Sequence, residues 1–303
     1  MGRISQMRRF PMVLLLGVLV SAVAADSRDD LLSELDYLHY FDRNEEILEL
    51  LDQQRPANDY ERGQLLWRRG RAMLSIADLS NWEGTMSDAE ALALLEESDA
   101  IALKAVELVP EEAKAHMWRA AGIGRRGLLR GVLSSLFLAS EVRDHATLAL
   151  EYDPTLPEAY YVLGQLYREL PRWPISFGNN DYAVSLSRSS VAFYEEILAT
   201  GTVPVQYYDH YTQLAHSLWT RNSNLRQRVR RWERAREEYG RAETALERGF
   251  HFEGTQPRPR TTDREEALEI IRRVVRELSS VSDPRVRQRM DLAKARELLE
   301  SWE

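Results

Sequence analysis

The sequence predicts an all-α protein whose helices stack as a solenoid. Apolar residues recur three and four apart, as in Ile47-Leu48-Leu50-Leu51 and Leu268-Ile270-Ile271-Val274-Val275-Leu278, which draws a single apolar stripe down a helix. Little of the chain alternates with the period of two that a half-buried strand requires. Pro and Gly fall mostly between the periodic segments, where they end helices. The composition agrees: 303 residues, 44% hydrophobic and 29% charged, suit a globular chain of one large domain or two ordinary ones.

Residues 1–24 read as an address. Arg3, Arg8 and Arg9 form a basic region, Phe10 to Val20 an apolar stretch, and Ala22-Val23-Ala24 a small-residue cleavage site, the three parts of a secretory signal peptide. The alternative is a retained anchor, but the apolar stretch is short of the roughly 20 residues that span a bilayer. No second stretch approaches that length. The expected protein is therefore exported, to a periplasm or to the outside, with no membrane span after cleavage. Cysteine is absent, which excludes disulfides, thiolate zinc sites, thiol nucleophiles and a lipid-anchor cysteine. The net charge of -8 argues against a nucleic-acid binder.

Residues 25–59 are expected to hold capping helices, with an amphipathic helix or helix pair over 29–52. Beyond them the chain repeats. Pro157–Tyr167 reads PEAYYVLGQLY and follows Ala149-Leu150-Glu151-Tyr152-Asp153-Pro154. This segment resembles the tetratricopeptide repeat (TPR), a helix–turn–helix unit of about 34 residues. Tyr160, Leu163, Gly164 and Tyr167 match the family's large, large, small, large spacing in its first helix, and Ala149 and Pro154 match the end of the preceding unit. A small residue there lets the neighbouring helix approach, and the proline stops the second helix. Weaker copies centre on Leu66–Ala72, with an insertion at Ser80–Asp88, on Ala113–Ile123 and on Tyr211–Leu218. The second helix of the last copy is expected through Glu237–Leu246. About four units over residues 60–250 imply a right-handed solenoid with a concave face. Residues 251–263, with Pro257 and Pro259, read as a flexible linker, and 264–303 as a helical pair capping the far end.

No catalytic motif stands out. Gly122-Ile123-Gly124-Arg125-Arg126-Gly127 matches a dinucleotide fingerprint, but a helical repeat precedes it where a strand is required, so a helix end and turn is the expectation. None of the six histidines pairs at metal-ligand spacing. Serines 185, 187, 189 and 190 lack a nucleophile elbow or a lysine partner. The chain is therefore expected to be neither an enzyme nor a metal or cofactor protein. The basic run Arg221–Arg236 reads as a solvated helix face paired with Glu233, Glu237 and Glu238, with contact to an acidic partner or membrane phosphates as the alternative.

The groove positions of the TPR family, carried over residue by residue, are Gln64, Trp67, Arg71 and Leu74 in the first unit and Lys114, Met117, Ala121 and Arg125 in the second. The third gives Glu158, Tyr161, Gln165 and Arg168, and the fourth Asp209, Thr212, His216 and Trp219. We take Trp67, Arg71, Met117, Arg125, Tyr161, Gln165, Arg168, His216 and Trp219 as the candidate site, since aromatic platforms with arginines can stack on and hydrogen-bond an organic acid or a peptide. The alternative is that Trp67 and Tyr161 are core.

A narrower resemblance lies in the order of a long helix, the near-consensus unit and then Leu170-Pro171-Arg172-Trp173-Pro174-Ile175-Ser176-Phe177-Gly178-Asn179. It looks like the periplasmic TPR component associated with TRAP transporters, which implies handling of a small organic ligand together with a solute-binding protein or transporter subunit. The same order is similar to the regulator of microtubule dynamics family, a eukaryotic TPR group, and the leader favours the exported reading. The function expected from the sequence is thus an exported, non-catalytic binding or scaffold protein working through a concave groove, with the transporter component as the alternative.

Overall fold

The computed structural model describes residues 28–303, apart from the side chains of 132–135; the leader expected over 1–24 lies outside the described residues. These residues form an all-α, solenoid-like array. Helix α1 spans 28–40 and α2 Asn44–Asp52. There follow α3 (Asp59–Trp82), α4 (Asp88–Leu108), α5 (Ala113–Arg130), α6 (Val132–Tyr152), α7 (Pro157–Glu169) and α8 (Asn180–Ala199). The chain continues with α9 (Asp209–Arg221), α10 (Leu225–Tyr239), α11 (Ala245–His251), a 3-10 turn at Phe252–Thr255, α12 (Asp263–Ser279) and α13 (Val286–Trp302).

Local chemistry sets these boundaries. Asn58 accepts a hydrogen bond from the Glu61 amide at the start of α3. Reciprocal capping pairs open α4 (Ser87 with Glu90), α10 (Asn224 with Gln227), α11 (Thr244 with Glu247) and α12 (Thr262 with Glu265). Pro157 sits in the first turn of α7, where its missing amide costs no hydrogen bond.

The helices pack as consecutive pairs, α3 on α4, α5 on α6 and α7 on α8, while α3, α5, α7 and α9 also contact one another as an inner layer. Small residues permit the close approaches. A Cβ at Gly164 of α7 would stand 2.9 Å from Ser187 Oγ and 3.3 Å from the Ser187 amide of α8. The largest core cluster runs from Met117, Ala120 and Ile123 of α5 through Val142 and Ala146 of α6 to Tyr160, Leu163 and Leu186 of α7 and α8.

Several local expectations change. The partner of α9 is α12, not a helix through Glu237–Leu246. Ala267, Ile271 and Val274 of α12 fill the apolar face offered by Leu214, Ala215 and Leu218, whereas residues 240–244 are a turn and α11 packs on α8. Residues 251–263 are tied down: Glu253 and Gly254 are buried, the Trp232 indole N–H donates to the Gln256 carbonyl, and Arg228 donates to the Thr261 and Thr262 carbonyls. The glycines 122, 124 and 127 lie inside α5 rather than at a turn. Gly122 and Gly124 face Leu74 and Val142 of neighbouring helices.

The last helix departs most. The sequence places α13 beside α12 as a far-end cap. It does touch α12, but it also reaches α3 and α9. At its start Arg285 donates to the Tyr40 carbonyl, and Arg287 Nε stands 3.2 Å from Asp42 Oδ1. Asp42 has a φ of 60° in the corner between α1 and α2, a conformation that costs energy for a residue with a Cβ. The chain's last helix is thereby clasped to its first ones across the concave face.

Candidate functional site

Because α13 crosses the inner layer, the concave face becomes a cavity of about 680 Å³, within the range of small-molecule sites. Its apolar part is lined by Leu74 of α3, Met117 and Ile123 of α5, Leu138 and Val142 of α6, and Val162 and Leu166 of α7. Its polar part gathers Asp36, His39 and Tyr40 from α1, Arg71 from α3, Glu158 and Tyr161 from α7, and Asp209 and His210 from α9. Helix α13 contributes Arg287, Met290, Asp291 and Lys294.

The basic groups of this lining are largely matched. Arg71 Nη2 is 2.8 Å from Asp36 Oδ1 and donates to the Leu35 carbonyl. Asp36 also holds Arg68. Burial alone would raise the Asp36 carboxyl, but Arg71 and Arg68 outweigh it and hold it below its usual value. Arg125 pairs with Asp78, and Arg287 with Asp42. Burial, then the charges of Arg71, Arg287 and Lys114, push His39 well below an ordinary imidazole, so it is neutral. Its Nδ1 lies 3.3 Å from Asn44 Oδ1.

The acids are not matched in the same way. Asp291 is 5% exposed, and no hydrogen bond or ion pair from the described residues reaches its carboxyl. Burial and then the neighbouring Asp209 push it up to about 7, against the opposing pull of Arg287 and Lys294. Glu158 Oε2 is buried without a hydrogen-bond partner. The Tyr161 hydroxyl is raised by burial and by Asp209 and Asp291.

Five of the nine candidate residues line this cavity: Arg71, Met117, Arg125, Tyr161 and Gln165. The other four do not. Trp67 is core, 1% exposed against Ala105, Val109 and Ala115, with the Arg68 guanidinium 4.0 Å from its ring centre. Arg168 is turned into the α7–α9 contact, where it bonds Gln213 and Glu169. Trp219 stacks on Trp302 at 4.6 Å, and His216 lies beside the same indole. The C-terminal helices thus cover the fourth unit's inner face. Asp291, Arg287 and Lys294 escaped the sequence reading because nothing in the α13 sequence says that it folds back across the groove.

A serine, histidine and aspartate do meet beside the cavity. Ser190 Oγ lies 2.6 Å from His210 Nδ1, and His210 Nε2 lies 3.9 Å from Asp209 Oδ1. A nucleophilic serine must give its proton to the imidazole. Here the Ser190 hydroxyl donates to the Pro157 carbonyl at 3.0 Å and is fully buried, so it accepts from the histidine and ties α7, α8 and α9 together.

The family described as RMD1-3, regulator of microtubule dynamics protein 1-3, matches residues 31–173. That stretch runs from α1 through α7 and builds much of the cavity wall. It is similar to regulators of microtubule dynamics. Regulator of microtubule dynamics protein 1 from Mus musculus is 29% identical over 136 residues, 45% of this chain and 42% of that protein. The Bos taurus protein of the same name is 31% identical over 136 residues, 45% of this chain and 41% of that protein. The matched stretch thus spans about two fifths of the length of these relatives.

These matches overturn the exported reading. Proteins of mouse and cattle named for microtubule dynamics do not fit a periplasmic or secreted scaffold, nor a TRAP-transporter component partnered by a solute-binding protein or transporter subunit. Of the two resemblances at residues 149–180, the regulator of microtubule dynamics is the one the matches favour. The leader misdirected the choice, because a basic and apolar N-terminal segment does not by itself fix the compartment. Among the described residues no helix is long and apolar enough to cross a membrane.

Proposed function

We propose that this chain acts, like the proteins it resembles, in regulating microtubule dynamics, and that it does so by binding rather than by catalysis. The observation that carries the reading is the similarity over α1–α7 to proteins bearing that name. The commitment of the Ser190 hydroxyl to a backbone carbonyl supports the non-catalytic part. The repeat-like packing of α3 to α8 supports membership of the wider TPR group, whose units present extended surfaces to partners.

The contact surface we propose is the outer face of α10. Arg226, Arg230 and Arg234 recur at four-residue spacing, all exposed and none in an ion pair with any described residue, while Arg228 and Arg231 of the same helix turn to Glu266 and Asp181. This departs from the expectation that the run is neutralised by Glu233, Glu237 and Glu238: the last two pair with Arg241 instead. A free basic stripe suits an acidic polymer surface and predicts binding that weakens with salt. Co-pelleting of the full chain with assembled microtubules tests the reading. Binding should be salt-sensitive and reduced when Arg226, Arg230 and Arg234 are all changed to Glu. No co-pelleting, with no effect on polymer growth or shrinkage, would discard it.

A further inference from the structure

The cavity lining carries more carboxyls than it uses. Asp36 and Asp78 are engaged by Arg71 and Arg125, and Glu169 by Arg168. Glu158, Asp209 and Asp291, from three different helices, remain together with the exposed Glu297, none of them in contact with an arginine or lysine among the described residues. Among the described residues Asp209 accepts a hydrogen bond only from the His210 amide, and it lies 3.9 Å from that imidazole. Asp291 is 95% buried by its 5% exposure, and Glu158 has a buried oxygen with no donor. The remaining bases act on them only from a distance. Arg287 is held by Asp42, and Lys114 and Lys294 are exposed, so water solvates their ammonium groups. Two rings, Tyr40 and Tyr161, line the same end, and aromatic faces attract cations. The opposite part of the cavity is aliphatic.

From this geometry we propose that the cavity binds an amphipathic organic cation, an amine or quaternary ammonium head among Glu158, Asp209, Asp291 and the two tyrosine rings, with an apolar tail along Leu74, Met117 and Leu166. An anionic head would add a further negative charge to three unmatched carboxyls. A neutral head would leave the Glu158 oxygen without a charged partner. A bound ammonium supplies hydrogen bonds and the missing charge to the buried Asp291 and to the buried oxygen of the half-buried Glu158. The site is independent of the α10 surface, so the failure of either reading leaves the other standing.

Binding is coupled to one proton. The groups facing Asp291 are Arg287 and Lys294 of its own helix, Tyr161 of α7, Asp209 of α9 and Asp42 of the α1–α2 corner. Its carboxyl must ionise to pair with a cation, so affinity should rise with pH around neutrality.

The test titrates decylamine, decanoate and decanol, each below its micellar concentration, into the full chain, read by calorimetry and tryptophan fluorescence. Decylamine should bind one site at least about tenfold more tightly than decanoate. Its affinity should increase from about pH 6 to about pH 8, while that of decanol stays level. Asp291→Asn and Glu158→Gln should each weaken decylamine about tenfold or more, the usual loss for a charge-assisted contact, without weakening decanol. Decanoate binding as tightly as decylamine in the unaltered chain would overturn the proposal, as would decylamine affinity indifferent to both substitutions.

Discussion

His116 and His145 face each other through their Nδ1 atoms, 3.0 Å apart. The neighbours settle which ring donates. His116 Nε2 lies 2.8 Å from the Pro110 carbonyl and must carry a proton there, leaving its Nδ1 as acceptor. His145 Nε2 accepts from Arg119 Nε at 2.9 Å, so its proton sits on Nδ1 and is given to His116. The chain works only with both rings neutral. Burial first, then the charges of Arg119 and His116, lower His145 to about 4. Because the folded value is depressed below 6.5, the stability that this chain contributes is complete above that value and is lost as pH falls towards about 4. His145→Gln should therefore cost stability at neutral pH and progressively less below it, as read by thermal unfolding across that window. A constant penalty at every pH would contradict the assignment.

A second acid-sensitive lock joins α9 to α12. Arg221 Nε and Nη2 bond the two oxygens of Asp263 at 2.8 Å each, and Nη1 and Nη2 bond Glu253 at 2.6 and 2.9 Å. Burial would raise the Glu253 carboxyl, but Arg221, helped by Arg188 and Arg228, holds it near 2. Its contribution should be complete above 4.5 and disappear as pH falls through about 2. Removing one partner strands a buried charge, so Asp263→Ala should cost about 3–5 kcal/mol in urea unfolding. Replacing Arg221 by Met together with Asp263 by Asn leaves Glu253 and Glu266 to Arg188 and Arg228, and should cost less than that single change. The opposite order would show that the lock is not what holds α12.

Helical periodicity, turn residues and the Tyr160–Tyr167 segment were enough to read the all-α array, because burial of an apolar stripe is a local demand of the sequence. The inner-layer positions Arg71, Met117, Tyr161 and Gln165 were reachable by the same route, since they repeat at fixed places on successive helices. Trp67 was not separable from them. Its burial depends on Ala105 and Ala115, which lie far along the chain and have no pattern tied to it. The roof of the cavity was invisible for a stronger reason. Arg287 and Asp291 reach the site because α13 packs across α3 and α9 and because Asp42 and Tyr40, some 245 residues away, anchor its start. Residues 251–263 read as a linker because a proline-bearing segment looks flexible until the hydrogen bonds from Trp232 and Arg228 are known.

The close approach of α7 to α8 gives a steric prediction. A Cβ at Gly164 would meet Ser187 Oγ at 2.9 Å, with backbone atoms of Ser187 and Ala183 at 3.3 and 3.4 Å. The hydroxyl can swing away, although it currently bonds the Ala183 carbonyl and Ser217, but the backbone cannot. Gly164→Ala should destabilise by about 1–3 kcal/mol and Gly164→Val by more, despite the better helix propensity of alanine. Stabilisation by alanine in chemical unfolding would mean that α7 and α8 stand further apart.

Asp291 offers the sharpest test of whether the cavity is there for a ligand. A carboxyl raised to about 7 by burial and by Asp209 opposes folding, because ionising it in the folded chain costs more than in the unfolded one. The cost is absent below 3.8 and grows as pH rises from there to about 7. Asp291→Asn keeps the shape and removes the ionisation. It should leave stability nearly unchanged at about pH 4 and raise it by up to about 4 kcal/mol at about pH 8, the size that a shift from 3.8 to about 7 supplies. A structural acid would behave in the reverse way, since its loss would weaken the packing of α13 at neutral pH. Retaining a destabilising carboxyl on the helix that roofs the cavity makes physical sense where an occupant repays the ionisation, so the same substitution that stabilises the empty chain should weaken its hold on decylamine. Opposite signs in unfolding and in binding would identify Asp291 as a ligand-facing acid, and a loss in both would reduce it to a packing residue.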